Sequence, residues 1–335
     1  APACASTVAE WSREDYAMLA YVVRRLIISI PIMLGVTVIV FFLASQMPGD
    51  AVAAMISTET PMADDLIALR RGQLGLDLPV TVQYTNWLGQ LLQGNLGYSF
   101  QTGEPVAQMI STRAPATLLL MGTSLLLAIL LGTTLGVISA LRQYSWLDYT
   151  LTFGGFVGIS IPDFFLGLLL IYVFALVLGW FPTSGIGTAG EPYSLADNMR
   201  HLFLPMLALA LVRTATFTRY TRASVLEVMN NDYVRTARAK GLNTLTVTGR
   251  HILRNALIPL VTVIGLAIPA LFAGSVVIEL VFQWPGIGMM FITSVTNRDS
   301  PVIMGYVLVL AVLVLVANLV ADLAYSLVDP RIRYD

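Results

Sequence analysis

Few residues in this chain can do chemistry, and their types limit which kinds are open to it. Among 335 residues there are two histidines (His201 and His251), one cysteine (Cys4) and one lysine (Lys240). A single cysteine excludes an internal disulfide framework and a cysteine-based metal site. Two histidines leave little for imidazole catalysis or metal binding. A P-loop needs G-x-x-x-x-G-K-[ST], whose lysine and hydroxyl contact phosphates and Mg²⁺. Lys240 is followed by Gly241 and has no glycine correctly placed before it, so if ATP drives this protein it must be handled by another chain. The remaining chemical signal is charge inside apolar runs: Asp163 beside Pro162, Arg213, Glu279 and Asp322. Such residues mark ion or substrate paths. Asp163 and Pro162 are candidates for a gate or pore, and Trp284, in the turn Trp284–Gly288 (WPGIG), for a lid or guide. The plainer expectations are that Arg213 snorkels, Glu279 and Trp284 sit at the membrane interface, and Asp163 serves backbone groups freed by a proline kink.

The elements that must position these residues are membrane spans. The chain is 56% hydrophobic and 12% charged, with a net charge of −1 and a mean hydropathy of +0.76, whereas soluble chains are about a quarter charged. That excludes a disordered protein, a nucleic-acid binder and an ordinary soluble enzyme. A crossing needs about 20 apolar residues, and six segments qualify: 26–47, 115–141, 149–181, 202–220, 258–281 and 301–327. The third is read as one tilted helix kinked at Pro162. The fourth is the weakest, because it holds Arg213 and Arg219. Backbone groups in lipid must be satisfied internally, so these runs predict helices; the alternation of barrel strands is absent. The fold class is therefore an all-α polytopic membrane protein with six transmembrane helices. With the N-terminus inside, only Arg70, Arg71, Arg113, Arg200 and Arg298 of the basic residues fall outside, which supports an N-in, C-in arrangement. His201 and His251 then lie on opposite sides and cannot act together. No Ser/His or metal constellation suggests a membrane-embedded enzyme.

This reading divides the chain into a cytoplasmic N-terminal extension (1–23), a first span (24–47), an extracytoplasmic loop or cap (48–114) and a core (115–335). The charges before the first span suit a signal anchor that stays as a helix. In the outer loop, Leu66–Leu74 and Val82–Leu92 read as short helices and Gly94–Tyr98 as a turn; the loop is a cap over the membrane or a docking surface. Gly132/Gly136 and Gly154/Gly158 are G-x-x-x-G pairs suited to close helix packing. The inside loop at 221–258 carries the strongest signal. Asp232 reads as the N-cap of a short helix, Tyr233–Lys240, with Gly241 as its stop, followed by a helix that re-enters the membrane. A basic inside loop can be only a lipid-headgroup contact, but a short capped helix at its apex suits insertion into a partner's groove.

Asp232–Leu242 (DYVRTARAKGL) followed by His251–Pro259 (HILRNALIP) resembles the cytoplasmic coupling loop of ABC-importer permeases. The resemblance is to the dipeptide/oligopeptide class, and to the first of its two paired permeases. In the general pattern E-A-A, three residues, Gly, nine residues, I-x-L-P, the first three positions are Arg235, Thr236 and Ala237, the glycine is Gly241, and the last four are His251, Ile252, Leu253 and Arg254. Glu, Ile and Pro of that pattern are replaced, while R-T-A-R-A-K-G-L is the form the peptide class shows. Tyr21–Leu26, Met47–Asp50, Leu74–Pro79, Gly94–Ser99, Ile278–Gly288, Arg298–Ile303 and Asp329–Tyr334 agree along the chain. The resemblance implies a type I importer permease in a bacterial or archaeal plasma membrane, without catalysis of its own. It also implies a second homologous permease, an extracytoplasmic substrate-binding protein, and two cytoplasmic P-loop ATPase subunits that bind ATP and Mg. Asp232, Tyr233, Arg235, Thr236, Ala237, Arg238, Ala239, Lys240 and Gly241 would couple to an ATPase, supported by Arg250, His251 and Arg254. Related systems carry dipeptides, oligopeptides, glutathione, nickel complexes or oligosaccharides. The rival from the residues alone is a self-contained secondary transporter or channel.

Overall fold

The computed structural model describes residues 2–46, 72, 77–192 and 194–328. The motifs Met47–Asp50 and Asp329–Tyr334, most of Leu66–Leu74 and the first half of Leu74–Pro79 lie outside the described residues. Among the described residues the chain is helical, with one isolated β-bridge between Tyr98 and Pro105. Four helices are long and apolar enough to cross a bilayer, and the count reaches six when each of two bent pairs is one crossing. The chain divides into two compact units, residues 1–107 with 297–335, and residues 108–296.

The first unit is built on α1 (Pro2–Ser45), α2 (Val80–Leu92) and the last helix, α11 (Ser300–Val328). The apolar stretch Ala20–Ser45 of α1 packs along α11, and Arg25 pairs with Asp322 at 2.9 Å. α2 lies on α1 through aromatic residues. Phe41 contacts Tyr84 and Trp87 with ring centroids 5.4 and 5.5 Å apart, and Thr37 hydrogen-bonds the Tyr84 hydroxyl at 3.0 Å. The expected turn at Gly94–Tyr98 is present, with Gly94 and Gly97 in the left-handed region. It opens a hairpin fastened by buried Asp299, which accepts from the Ser99 hydroxyl and, at 3.0 Å, from the Phe100 amide.

The second unit holds α3 (Val106–Leu141) from Gln108 onward, α4 (Trp146–Ser160), α5 (Asp163–Val177, ending in a π-helical turn) and α6 (Leu195–Met229). It continues with α7 (Asp232–Ala239), α8 (Thr244–Ala256), α9 (Ile258–Val281) and α10 (Ile287–Thr296). The hub is α6, the most enclosed of the long apolar helices, with α4, α5 and α9 packed on it. Its low apolarity follows: it is surrounded by protein, so polar residues such as Thr214, Thr218 and Thr221 are buried there. Gly132 and Gly136 seat α3 against α6, since a Cβ at Gly132 would lie 2.5 Å from that of Phe217 and one at Gly136 2.6 Å from that of Thr221. The second glycine pair packs only through Gly158, near Ala215; Gly154 faces open space.

Several boundaries differ from the sequence expectation. α3 starts at Val106, not Pro115, because Val106, Met109 and Ile110 form a buried stripe at helical spacing. The third apolar run is not one kinked rod: it breaks at Ile161–Pro162, and its halves meet at 105°. α6 runs unbroken from Leu195 to Met229, so the start of the stretch 221–258 continues the helix of the fourth apolar run. α10 was not foreseen.

Candidate functional site

α7 has only eight residues, too few to persist alone in water. Tertiary contact fixes it. Val234 and Ala237, one turn apart, are buried with Val225 and Val228 of α6, Val247, Ile252 and Ala256 of α8, and Ala140 of α3. The N-cap is Asn231, without a side-chain cap bond, and Asp232 is the first helical residue rather than the cap. The end is set by Gly241 at φ +78. Its amide donates to the Arg238 carbonyl at 3.0 Å, and that of Leu242 to Ala237 at 3.4 Å. This pair of bonds is the Schellman stop, which needs a left-handed residue where glycine carries no penalty.

Asp232, Tyr233, Arg235, Thr236, Arg238, Ala239 and Lys240 are left on the open face. The Arg235–Asp232 pair, at 3.9 Å and nearly fully exposed, adds little stability, so the guanidinium stays available. Leu242 and Leu245 extend the open face, Leu245 being 86% exposed. The surface is therefore cationic with apolar edges. Arg250 and Arg254 are exposed and His251 is half-buried; α8 holds α7 through Val247, Ile252 and Ala256 rather than through these basic side chains.

Beside this cluster lies an ion pair that sequence reasoning missed. Arg222 of α6 donates to both oxygens of buried Asp148, at 2.7 and 2.9 Å. Asp148 also accepts from the Ser139 hydroxyl of α3 and the Tyr144 amide. Ser145 caps α4 by accepting from the Asp148 amide. One carboxylate thus ties the ends of α3 and α4 to α6. The S-x-x-D spacing of Ser145 and Asp148 was the available signal.

Trp284 and Glu279 are both fully buried within the protein. Glu279 accepts from the Thr117 hydroxyl at 2.7 Å and from the amides of Gly288 and Met289 at 2.8 and 3.0 Å. It thereby caps the start of α10, where free amides favour an anion. The indole of Trp284 donates to the Ala116 carbonyl at 2.9 Å. Gly286 is required because a Cβ there would overlap the Glu279 carboxylate and the Thr117 hydroxyl. His201 is likewise buried, its Nδ1 2.9 Å from the Asp197 carbonyl. Asp163 and Pro162 do lie at a break: Pro162 precedes the first turn of α5, and Asp163 begins it. Arg213 donates to the Ala270 carbonyl of α9 at 3.0 Å.

Residues 132–334 match the family described as the inner membrane component of binding-protein-dependent transport systems, and residues 18–121 match the N-terminal part of such membrane components. The chain belongs to this family. The α7 surface, the Asp163 break and the Glu279 cap all fall within the first match. Among the family's curated members, the chain is 46% identical over 318 residues to the oligopeptide transport system permease protein AppB of Bacillus subtilis, covering 95% of this chain and 100% of that one. It is 42% identical to the di/tripeptide permease protein DppB of Pseudomonas aeruginosa (95% and 99%) and 41% identical to the glutathione permease protein GsiC of Escherichia coli (95% and 100%). A solved inward-facing structure of the MetNI methionine ABC transporter shares the fold at TM-score 0.56 and 17% identity, over 66% of this chain and 97% of that one.

Proposed function

We propose that this chain is the non-catalytic, membrane-spanning permease subunit of an ATP-driven importer for di- and oligopeptides. It would form the translocation path with a second homologous permease in a bacterial or archaeal inner membrane. Two cytoplasmic ATPases would bind ATP and Mg, and an extracytoplasmic binding protein would deliver cargo. The observation that carries this reading is α7, a short helix whose apolar side is spent on its own core and whose cationic side is open. Asp232, Tyr233, Arg235, Thr236, Arg238, Ala239 and Lys240 would meet an ATPase groove, with Gly241 fixing where the helix stops.

ATP-driven closure of the ATPases would act on α7, and α7 on α6 and α8 through Val234 and Ala237. The Asp148–Arg222 pair would pass that movement to α3 and α4. Each partner shifts the permease by binding one of its conformations better. The Arg25–Asp322 pair supports an even number of crossings, because it puts the start of the first apolar helix level with the end of the last. The names of the relatives support small peptides as cargo, glutathione being itself a tripeptide.

Purification of the tagged chain from native membranes in mild detergent, with mass spectrometry of what accompanies it, tests the reading. A second permease and P-loop ATPases are expected. Recovery of the chain alone after crosslinking would overturn it in favour of a self-contained transporter.

A further inference from the structure

Three helices of the second unit place polar features at one level. The break at Ile161–Pro162 lies midway along the bent pair Trp146–Val177. Arg213 is at the centre of α6 (Leu195–Met229), and Ala270, whose carbonyl Arg213 reaches, is at the centre of α9 (Ile258–Val281). Gly274, one turn along α9, faces both charges. A Cβ there would lie 2.9 Å from Asp163 Oδ2 and 3.7 Å from Arg213 Nη2. Glycine is what lets the two side chains reach the same stretch of helix.

Both charges keep capacity for a further partner. Arg213 Nε is buried without a hydrogen-bond partner. Among the described residues Asp163 accepts no side-chain hydrogen bond, and the two make no ion pair with each other. The first amides of α5 have no side-chain cap either. Opposite charges held on one stretch of helix without an ion pair between them leave each free to take a ligand group of opposite sign. A broken helix at mid-span is where transport proteins expose backbone and charge to cargo.

We propose that Asp163, Arg213 and the bare stretch of α9 at Gly274 form a subsite for the charged termini of a short peptide. Arg213 takes the carboxylate, and Asp163 takes the ammonium. The arrangement selects a dipolar ligand, since an anion alone meets Asp163 and a cation alone meets Arg213. This inference rests on the peptide-cargo reading.

The test is binding of radiolabelled trialanine, and of its C-amidated and N-acetylated forms, to the purified permease–ATPase complex without its binding protein. Peptide uptake by cells is measured in parallel. Arg213→Gln is expected to weaken trialanine by about tenfold or more, the loss of a charge-assisted contact, while leaving the C-amidated form unchanged; Arg213→Lys restores part of the loss. Asp163→Asn is expected to weaken trialanine and leave the N-acetylated form unchanged. Equal losses for all three peptides, or none, would make the two charges structural and overturn the subsite, as would a wild-type complex that binds no trialanine while its cells import it. Cells that import no peptide would sink the cargo reading and the subsite with it.

Discussion

Glu279 shows how one buried carboxylate shapes its surroundings. It caps α10, accepts from Thr117 and is closely overlain by Gly286 and Gly288. Gly286→Ala forces a methyl into that contact and should cost about 1–3 kcal/mol, measured by thermal unfolding in detergent. Gly122→Ala, where a Cβ meets nothing within 4 Å, should leave the transition unchanged. The Asp148–Arg222 pair behaves differently because both partners are charged. Removing Arg222 strands the buried Asp148 carboxylate, at about 3–5 kcal/mol, whereas Arg222, 27% exposed, loses less when Asp148 is removed. Asp148→Ala combined with Arg222→Ala should therefore be less destabilised than the sum of the singles. Additive losses in that cycle would show that the two side chains act independently.

At the level of elements, glycine contacts and short apolar clusters join helices alongside the buried polar pairs. Gly136→Leu should push α3 off α6 and lower the yield of folded protein, because a Cβ there already meets Thr218 and Thr221. Gly154→Leu, facing open space, should be tolerated. For α7, Gly241→Val puts a β-branched residue at positive φ and removes the helix stop. The expected outcome is ATP hydrolysis that no longer drives uptake, with membrane insertion intact; unchanged uptake per ATP would count against α7 as the coupling element. Val234→Asp should abolish both, since it strips α7 from its support.

For the whole molecule, the sequence expectation of six crossings with both ends inside makes a prediction about sidedness. In a Cys4→Ala background, Arg142→Cys and Leu245→Cys should label only from the cytoplasmic face and Tyr98→Cys only from outside. All three positions are exposed. Labelling of Tyr98→Cys and Leu245→Cys from the same face would require a different number of crossings.

Composition and periodicity alone determined that the chain is helical and membrane-embedded, because lipid demands apolar side chains and internally bonded backbone from each segment separately. The bounds Ile258–Val281, the helix around Val82–Leu92, the stop at Gly241 and the packing of Gly132/Gly136 were legible for the same local reason. The motif Asp232–Leu242 with His251–Pro259 also placed the chain in its family. Other features depended on residues far apart in the sequence. Asp148 meets Arg222, Thr117 meets Glu279, and Asp163 and Arg213 converge on Gly274. Burial of Trp284, the early start of α3 and the 105° break at Pro162 likewise depend on what packs beside them. A proline announces an interruption, but only the neighbouring helices set the angle. A charge in an apolar run is visible in the sequence, but only the tertiary structure decides whether it finds a partner.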